Sequence, residues 1–215
     1  MSLHALRVNY RWGVLDECTV AGDPLQQLTR WLDEARAAEA TSWFEVNAMT
    51  LATVDQDGRV HARIVLLKGI DEQGLTFFSN YDSDKGRELQ AHPQAALVLY
   101  WPHVERQVRI EGTVRPISRS ESEAYFASRP RESQLGAHVS RQSRPVAGRH
   151  ELERELAALQ SKFAGRDVPC PDHWGGYRLT ADRVEFWQGR EHRLHDRIDF
   201  RRAEEGAWRV SRLAP

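Results

Sequence analysis

Cysteine is scarce: Cys18 and Cys170 are the only two in the 215 residues. They stand far apart and form no Cys-x-x-Cys pair, which argues against a zinc centre or a disulfide framework and points to a reducing compartment. An excess of either charge is also lacking, with 30 Lys plus Arg against 31 Asp plus Glu. No global basic field therefore recommends nucleic acid as a partner, and any bound anion must be held by local clusters. No uninterrupted apolar run reaches the ~20 residues of a membrane helix, and none follows a basic start. The expectation is a soluble, cytoplasmic protein with no membrane partner and no metal. Internal repeats and low-complexity segments are missing. So is a Gly-x-Gly-x-x-Gly after the first strand, which argues against a Rossmann-type nucleotide site. What remains is long enough to bury one proper core without staples.

Residues 1–22 show no sustained period and read as a partly mobile arm, with a single domain over 23–215. Asp23-Pro24 supplies an N-cap followed by proline at the first helical position, and Leu25, Leu28, Leu32 and Ala35 continue at helical spacing to about residue 40. From Ala48 the period becomes two. Strands are expected over 48–54 and 59–68 around the Asp55-Gln56-Asp57-Gly58 turn, then over 75–79, 95–101 and 106–117. Successive hairpins of this kind predict a mainly β protein, an antiparallel sheet curling into a barrel with helices around it. Helices are expected over 83–92, 118–128 and 151–163, the last with Leu152, Leu156, Leu159 and Phe163 on one stripe. Residues 139–149 read as a loop, and further strands as 177–180, the run from Val184, and 208–212.

Three places gather cationic side chains where an anion would sit. Ser83 caps a helix with Lys85 in its first turn, and a helix N-terminus with a nearby lysine suits a phosphate, although capping alone explains the pattern. Pro130 breaks one helix and opens another with Ser128 as its expected cap, which would bring Tyr125, Arg129 and Ser133 around a fresh helix start. The run Val184 to Arg197 begins apolar and aromatic, breaks at Gln188-Gly189, and resumes with Arg193, His195 and Arg197 at alternate positions. If that second half is extended, the three point to one face, each about 7 Å from the next. A solvated strand face with Glu191 and Asp196 as ion-pair partners is the plain alternative.

The Val184–Arg197 run closely resembles the C-terminal signature of the pyridoxine (pyridoxamine) 5'-phosphate oxidase family: an acid, an aromatic and Trp, a spacer, then Arg, an aliphatic, His, an acid and Arg. Other stretches match the same family in order: Arg7-x-x-Tyr10, Asn47-Ala48-Met49, Arg63 to Lys68, Glu105-Arg106-Gln107-Val108, Ser128 to Gln134, and Arg212 to Pro215. The resemblance implies an FMN-binding split barrel, six-stranded, antiparallel and of Greek-key type, working as a homodimer with FMN at the interface. It implies oxidation of pyridoxine 5'-phosphate and pyridoxamine 5'-phosphate to pyridoxal 5'-phosphate, in vitamin B6 biosynthesis and salvage, with O2 as acceptor and H2O2 as product.

Carried over position by position, FMN falls to Arg63, Ile64, Val65, Leu66, Leu67, Lys68, Phe78, Ser79, Lys85, Gln107, Gln142, Ser143, Trp187 and Arg197. Substrate phosphate falls to Lys68, Tyr125, Arg129 and Ser133, and the reacting end of the substrate to Arg193 and His195, with Arg7 and Tyr10 closing the site from the arm. Arg193, His195, Tyr10 and Arg7 form the expected catalytic set, His195 as proton partner because an imidazole titrates near neutrality. At position 84 the chain has Asp where family members often carry a basic residue, which implies weaker FMN binding or a side chain turned outward. Flavin reductases and phenazine-pathway oxidases on the same barrel are the neighbouring alternative. They need not combine Arg129-Pro130-Arg131 with Arg193-Leu194-His195. A module that carries the cofactor or pyridoxal phosphate without turnover is the non-catalytic one.

Overall fold

The computed structural model describes residues 9–38, 43–204 and 206–215. Arg7 lies outside the described residues. The helices are α1 (Pro24–Ala37), α2 (Asp84–Ala91), α3 (Arg119–Ser128), α4 (Arg131–Val139) and α5 (Arg149–Lys162). The strands are β1 (Ala48–Val54), β2 (Val60–Leu66), β3 (Gly69–Asp71), β4 (Gly74–Asn80), β5 (Gln94–Trp101), β6 (Arg106–Pro116), β7 (Trp174–Gln188), β8 (Asp196–Arg202) and β9 (Trp208–Arg212). None of these helices is long and apolar enough to cross a membrane.

All pairings are antiparallel, in the order β2-β1-β5-β6-β7-β4-β3 with β8 and β9 added beside β7. The run from β2 to β4 supplies the six barrel strands, and β2 approaches β4 to curl the sheet on itself. Period-two alternation sends Met49, Leu51 and Thr53 of β1 inward, and Met49 and Leu51 join Leu97, Leu99, Val108, Ile110 and Phe186 in the apolar core. Each such side chain contributes roughly 1.5–3 kcal/mol of burial. α1 closes one mouth: Asp23 accepts hydrogen bonds from the amides of Leu25 (2.8 Å) and Gln26 (3.1 Å), and Trp31 sets its ring edge-on to Phe186 at 5.2 Å. A smaller cluster of Phe126, Leu135, Val168 and Trp174 sits beneath α3, α4 and α5, with Leu156, Leu159 and Phe163 of the expected stripe against it.

The strand expected over 177–180 and the apolar start of the signature are one strand, β7. It is kinked where β6 shifts register between Glu111 and Gly112. Gly112 is required there: a Cβ would stand 2.1 Å from the Thr180 carbonyl oxygen. Two expectations need correction. The signature does not stay extended beyond Gly189. Residues Glu191–Arg193 form a 3-10 turn, with His192 (φ 57°) and Arg193 (φ 61°) both left-handed, and this reversal lays β8 back along β7. Arg193, His195 and Arg197 therefore do not line one strand face. Ser128 does not cap α4 either; its hydroxyl donates to the Tyr125 carbonyl (2.7 Å) and Pro130 occupies the N-cap with no side-chain bond. Pro130 sits at the cap rather than the first helical position, so the restart is one residue later than expected.

Candidate active site

The end of β2, the end of β4 and the starts of α2 and α4 surround a cavity of about 550 Å³. At one end Arg63 donates to the buried Glu88 carboxylate (2.9 Å) and to the Thr53 hydroxyl, which itself donates to Glu88. Beside it, Lys85 donates to Gln142 Oε1 (2.6 Å), which also accepts from Ser79 (3.3 Å). Burial, and then the charge of Arg63, push the Lys85 ammonium below its ordinary pKa. Among the described residues no carboxylate pairs with Lys85, so this end carries a desolvated cation without a direct ion-pair partner.

At the other end Phe78 stacks on Tyr125 at 3.8 Å and on Trp174 at 5.3 Å. The Arg129 guanidinium lies 4.7 Å over the Trp174 ring. Its Nη1 is buried without a hydrogen-bond partner, and desolvation pushes Arg129 down from its ordinary pKa. A buried N–H left unpaired costs about 1–3 kcal/mol, so the arrangement makes sense with an anionic acceptor present. Ser133, Pro130 and Lys68 complete this end. Two cationic ends separated by apolar and aromatic wall suit a bound group that is anionic at two places, or two groups each with its own phosphate.

A second constellation forms around the bend after β7. Tyr10, Trp187 and His195 meet with ring centroids 5.6, 5.4 and 4.7 Å apart pairwise. His195 Nδ1 accepts the backbone N–H of Arg190 (3.1 Å). Since that amide can only donate, the neutral ring carries its proton on Nε2. Burial, and then the charge of Arg193, lower the His195 pKa and favour this neutral ring. Arg193 itself is exposed. Arg197 donates to the buried Glu185 (2.8 Å) and to the Ala214 carbonyl (2.8 Å). Gln107 lies opposite Trp187 in the β6–β7 register.

The expected residues thus divide. Arg63, Ile64, Val65, Leu66, Lys68, Phe78, Ser79, Lys85, Tyr125, Arg129, Ser133 and Gln142 all line the one cavity. Leu67 instead points into the core, and Ser143 stands at the cavity edge with its hydroxyl accepting the Asp84 amide (3.2 Å). Tyr10, Gln107, Trp187, Arg193, His195 and Arg197 gather elsewhere. Trp174 marks the first set at the start of β7 and Trp187 the second, with roughly 40 Å of strand path between them. Asp84 turns away from the cavity and pairs with Arg87.

Sequence reasoning passed over Trp174, Glu88 and Asn80, whose side-chain amide holds the Ser140 carbonyl (3.0 Å) beside Gln142. Glu88 carried a usable signal, being three residues after Lys85 and one before Leu89 and so on the inward face of α2. Trp174 carried none, because its partners come from β4 and α3.

Residues 33–163 match the family described as pyridoxamine 5'-phosphate oxidase, and residues 174–215 match the pyridoxine 5'-phosphate oxidase C-terminal dimerisation region. A pyridoxine/pyridoxamine 5'-phosphate oxidase from Cupriavidus necator is 55% identical over 210 residues, covering 98% of this chain and 97% of that protein. One from Pseudomonas paraeruginosa is 52% identical over 214 residues, covering 100% and 99%. Among solved structures, PhzG from Burkholderia lata, in complex with tetrahydrophenazine-1-carboxylic acid, has a TM-score of 0.87 and 31% identity over 94% of this chain and 98% of that one. A pyridoxamine 5'-phosphate oxidase-related, FMN-binding protein from Nostoc punctiforme has a TM-score of 0.72 at 17% identity, covering 91% and 100%, and shares the split-barrel fold. Matched by that family over more than half its length, and more than half identical to its named oxidases from end to end, the chain belongs to the pyridoxamine 5'-phosphate oxidase family.

Proposed function

We propose that this protein is an FMN-dependent oxidase that converts pyridoxine 5'-phosphate and pyridoxamine 5'-phosphate to pyridoxal 5'-phosphate. The observation that carries the proposal is one cavity with, at each end, a desolvated cation that is hydrogen-bonded to no carboxylate among the described residues, Lys85 and Arg129. Relatives named for this activity support it over their full lengths. The greater identity to them than to PhzG favours a vitamin B6 substrate over a phenazine precursor.

The cavity fits FMN by its donor set. Arg63, Lys85 and Gln142 would hold the flavin phosphate, with Ser143 at the edge and the 64–66 segment of β2 along the rest. FMN, when bound, supplies the two-electron acceptor for the hydride leaving substrate C4', with O2 as terminal acceptor and H2O2 as product. The overall reactions balance: alcohol plus O2 gives aldehyde plus H2O2, and amine plus O2 plus water gives aldehyde, ammonia and H2O2.

Arg129, Tyr125, Ser133 and Lys68 bind the substrate phosphate, and the Arg129 fork finds there the acceptor its Nη1 lacks. His195 holds a proton at Nε2 and donates it in a hydrogen bond to the substrate's polar edge, fixed by the Arg190 amide at Nδ1. Because Nδ1 is already engaged, a hydrogen-bond donor role suits this imidazole better than proton abstraction. Arg193 orients the group at C4' and favours negative charge developing there. Tyr10 and the arm close over that end.

Division of the residues into two distant sets supports a homodimer in which the 187–197 region of one subunit completes the cavity of the other. The match of 174–215 to a dimerisation region agrees with this. So does the exposed apolar strip on the outside of the sheet, where Ile64 is 64% and Val60 71% accessible. The direct test is an anaerobic spectrum of the FMN-loaded protein before and after pyridoxine 5'-phosphate. Bleaching of the oxidised flavin band with equimolar pyridoxal phosphate is expected. A flavin left oxidised by both phosphate esters sinks the proposal and moves the reductase and carrier readings forward.

A further inference from the structure

Glu105 occupies the corner between β5 and β6 in a left-handed conformation (φ 55°, ψ 40°) that a residue with a side chain seldom takes. Its backbone carbonyl accepts the Gly189 amide (2.8 Å) and the Gln188 side-chain amide (3.2 Å), both at the bend of the signature. Its carboxylate reaches the other way: Oε2 accepts the backbone amides of Arg11 (2.6 Å) and Trp12 (2.8 Å). Among the described residues no Lys, Arg or His pairs with it, so its charge is spent on the arm alone. One residue therefore ties together the corner, the bend and residues 11–12.

Tyr10 is the residue immediately before this anchor. Its ring packs so closely over Gly189 that a Cβ there would lie 2.6 Å from it, and it stands edge-on to Trp187 and His195. Farther along, the arm is held independently: Arg190 donates to the Gly13 carbonyl (3.0 Å), Asp196 accepts the Leu15 amide (3.1 Å), and Arg212 donates to the Leu15 carbonyl (3.1 Å). Loss of the Glu105 carboxylate would thus release Tyr10 without detaching the arm.

We propose that Glu105 is a positioning residue, whose carboxylate fixes residues 11 and 12 so that Tyr10 closes over His195 in the proposed oxidase site. This rests on the oxidase reading for its effect on turnover but not for the anchor itself. Two variants separate the parts. Glu105→Gly removes the carboxylate at a position whose backbone favours glycine, so the fold is not lost to strain. Glu105→Gln keeps a neutral oxygen acceptor of the same reach. In FMN-loaded protein, Glu105→Gly should lower kcat/KM for pyridoxine 5'-phosphate about ten- to hundredfold, as expected for a misplaced closing group, while the FMN Kd stays unchanged. Glu105→Gln should recover most of the loss, and Glu105→Gly combined with Tyr10→Ala should be no slower than Tyr10→Ala alone.

Losses that multiply in the double variant, or an undiminished rate in Glu105→Gly, overturn the positioning role. Hydrogen exchange supplies a readout that needs no turnover. The amides of residues 11 and 12 should exchange at least about tenfold faster in Glu105→Gly while that of Leu15 is unchanged. Equal rates at 11 and 12 overturn the anchor. A wild-type protein idle with both phosphate esters defeats the oxidase reading instead, and exchange still decides the anchor.

Discussion

Replacing Arg129 by Met tests whether its buried guanidinium exists for an anion or for the fold. An N–H without a partner costs about 1–3 kcal/mol, whereas the contact with Trp174 at 4.7 Å returns about 0.5–2 kcal/mol. Removing both leaves the substrate-free protein within about 1 kcal/mol of its original stability, or slightly more stable, and 1 kcal/mol corresponds to about 2–4 °C in Tm for a chain of this size. Binding of the phosphate ester should change far more. A charge-assisted hydrogen bond contributes about 1.5–3 kcal/mol, which is about ten- to 150-fold in Kd. The assay is a titration of the FMN-loaded protein with pyridoxal 5'-phosphate, followed by the flavin absorbance, alongside a thermal melt of the substrate-free form. Arg129→Lys should fall between wild type and Met, since it keeps the charge and loses the planar fork and the stacking. An unchanged Kd, or a Tm lowered by more than about 8 °C, would show that the guanidinium serves the fold and not an anion.

Lys85→Met removes the cation at the opposite end, so the FMN Kd should rise about ten- to 100-fold while the substrate KM at saturating FMN holds; equal damage to both would merge the two ends. Because His195 is pushed below the ordinary imidazole pKa of 6.5, it stays neutral through neutrality, and protonation on the acid side places a hydrogen on Nδ1 facing the Arg190 amide. The kcat/KM profile should therefore fall only at pH values below 6.5, with the limb absent in His195→Asn; a limb that persists there belongs to another group. Asp84→Asn should alter the FMN Kd by less than about fivefold, since the carboxylate is spent on Arg87 at the surface. A larger change would place Asp84 in the phosphate field.

Much of the fold was legible because it is local. Met49, Leu51 and Thr53 announce a strand by alternating, and Asp23 and Ser83 announce helix starts by lying before them; both caps form as expected. Phe78, Lys85, Tyr125 and Arg129 were picked out through the family resemblance, position by position, and do line one cavity. The reversal after Gly189 was not legible. His192 and Arg193 take positive φ without being glycine, and the alternation of Arg, His and Arg mimics a strand that does not form.

Most strands and the starts of α1 and α2 could thus be read from alternation and caps, which depend on neighbours a few residues away, whereas the family resemblance rests on motifs spread along nearly the whole chain. Which charges stay unpaired, by contrast, follows from long-range contacts. Glu88 reaches Arg63 across 25 positions of chain, Glu105 reaches the arm across more than 90, and no carboxylate reaches Lys85 or Arg129 among the described residues. Whether a buried cation is neutralised from within or waits for a phosphate depends on which distant side chain folding brings within about 3 Å, and that distance is set by the packing of the whole barrel.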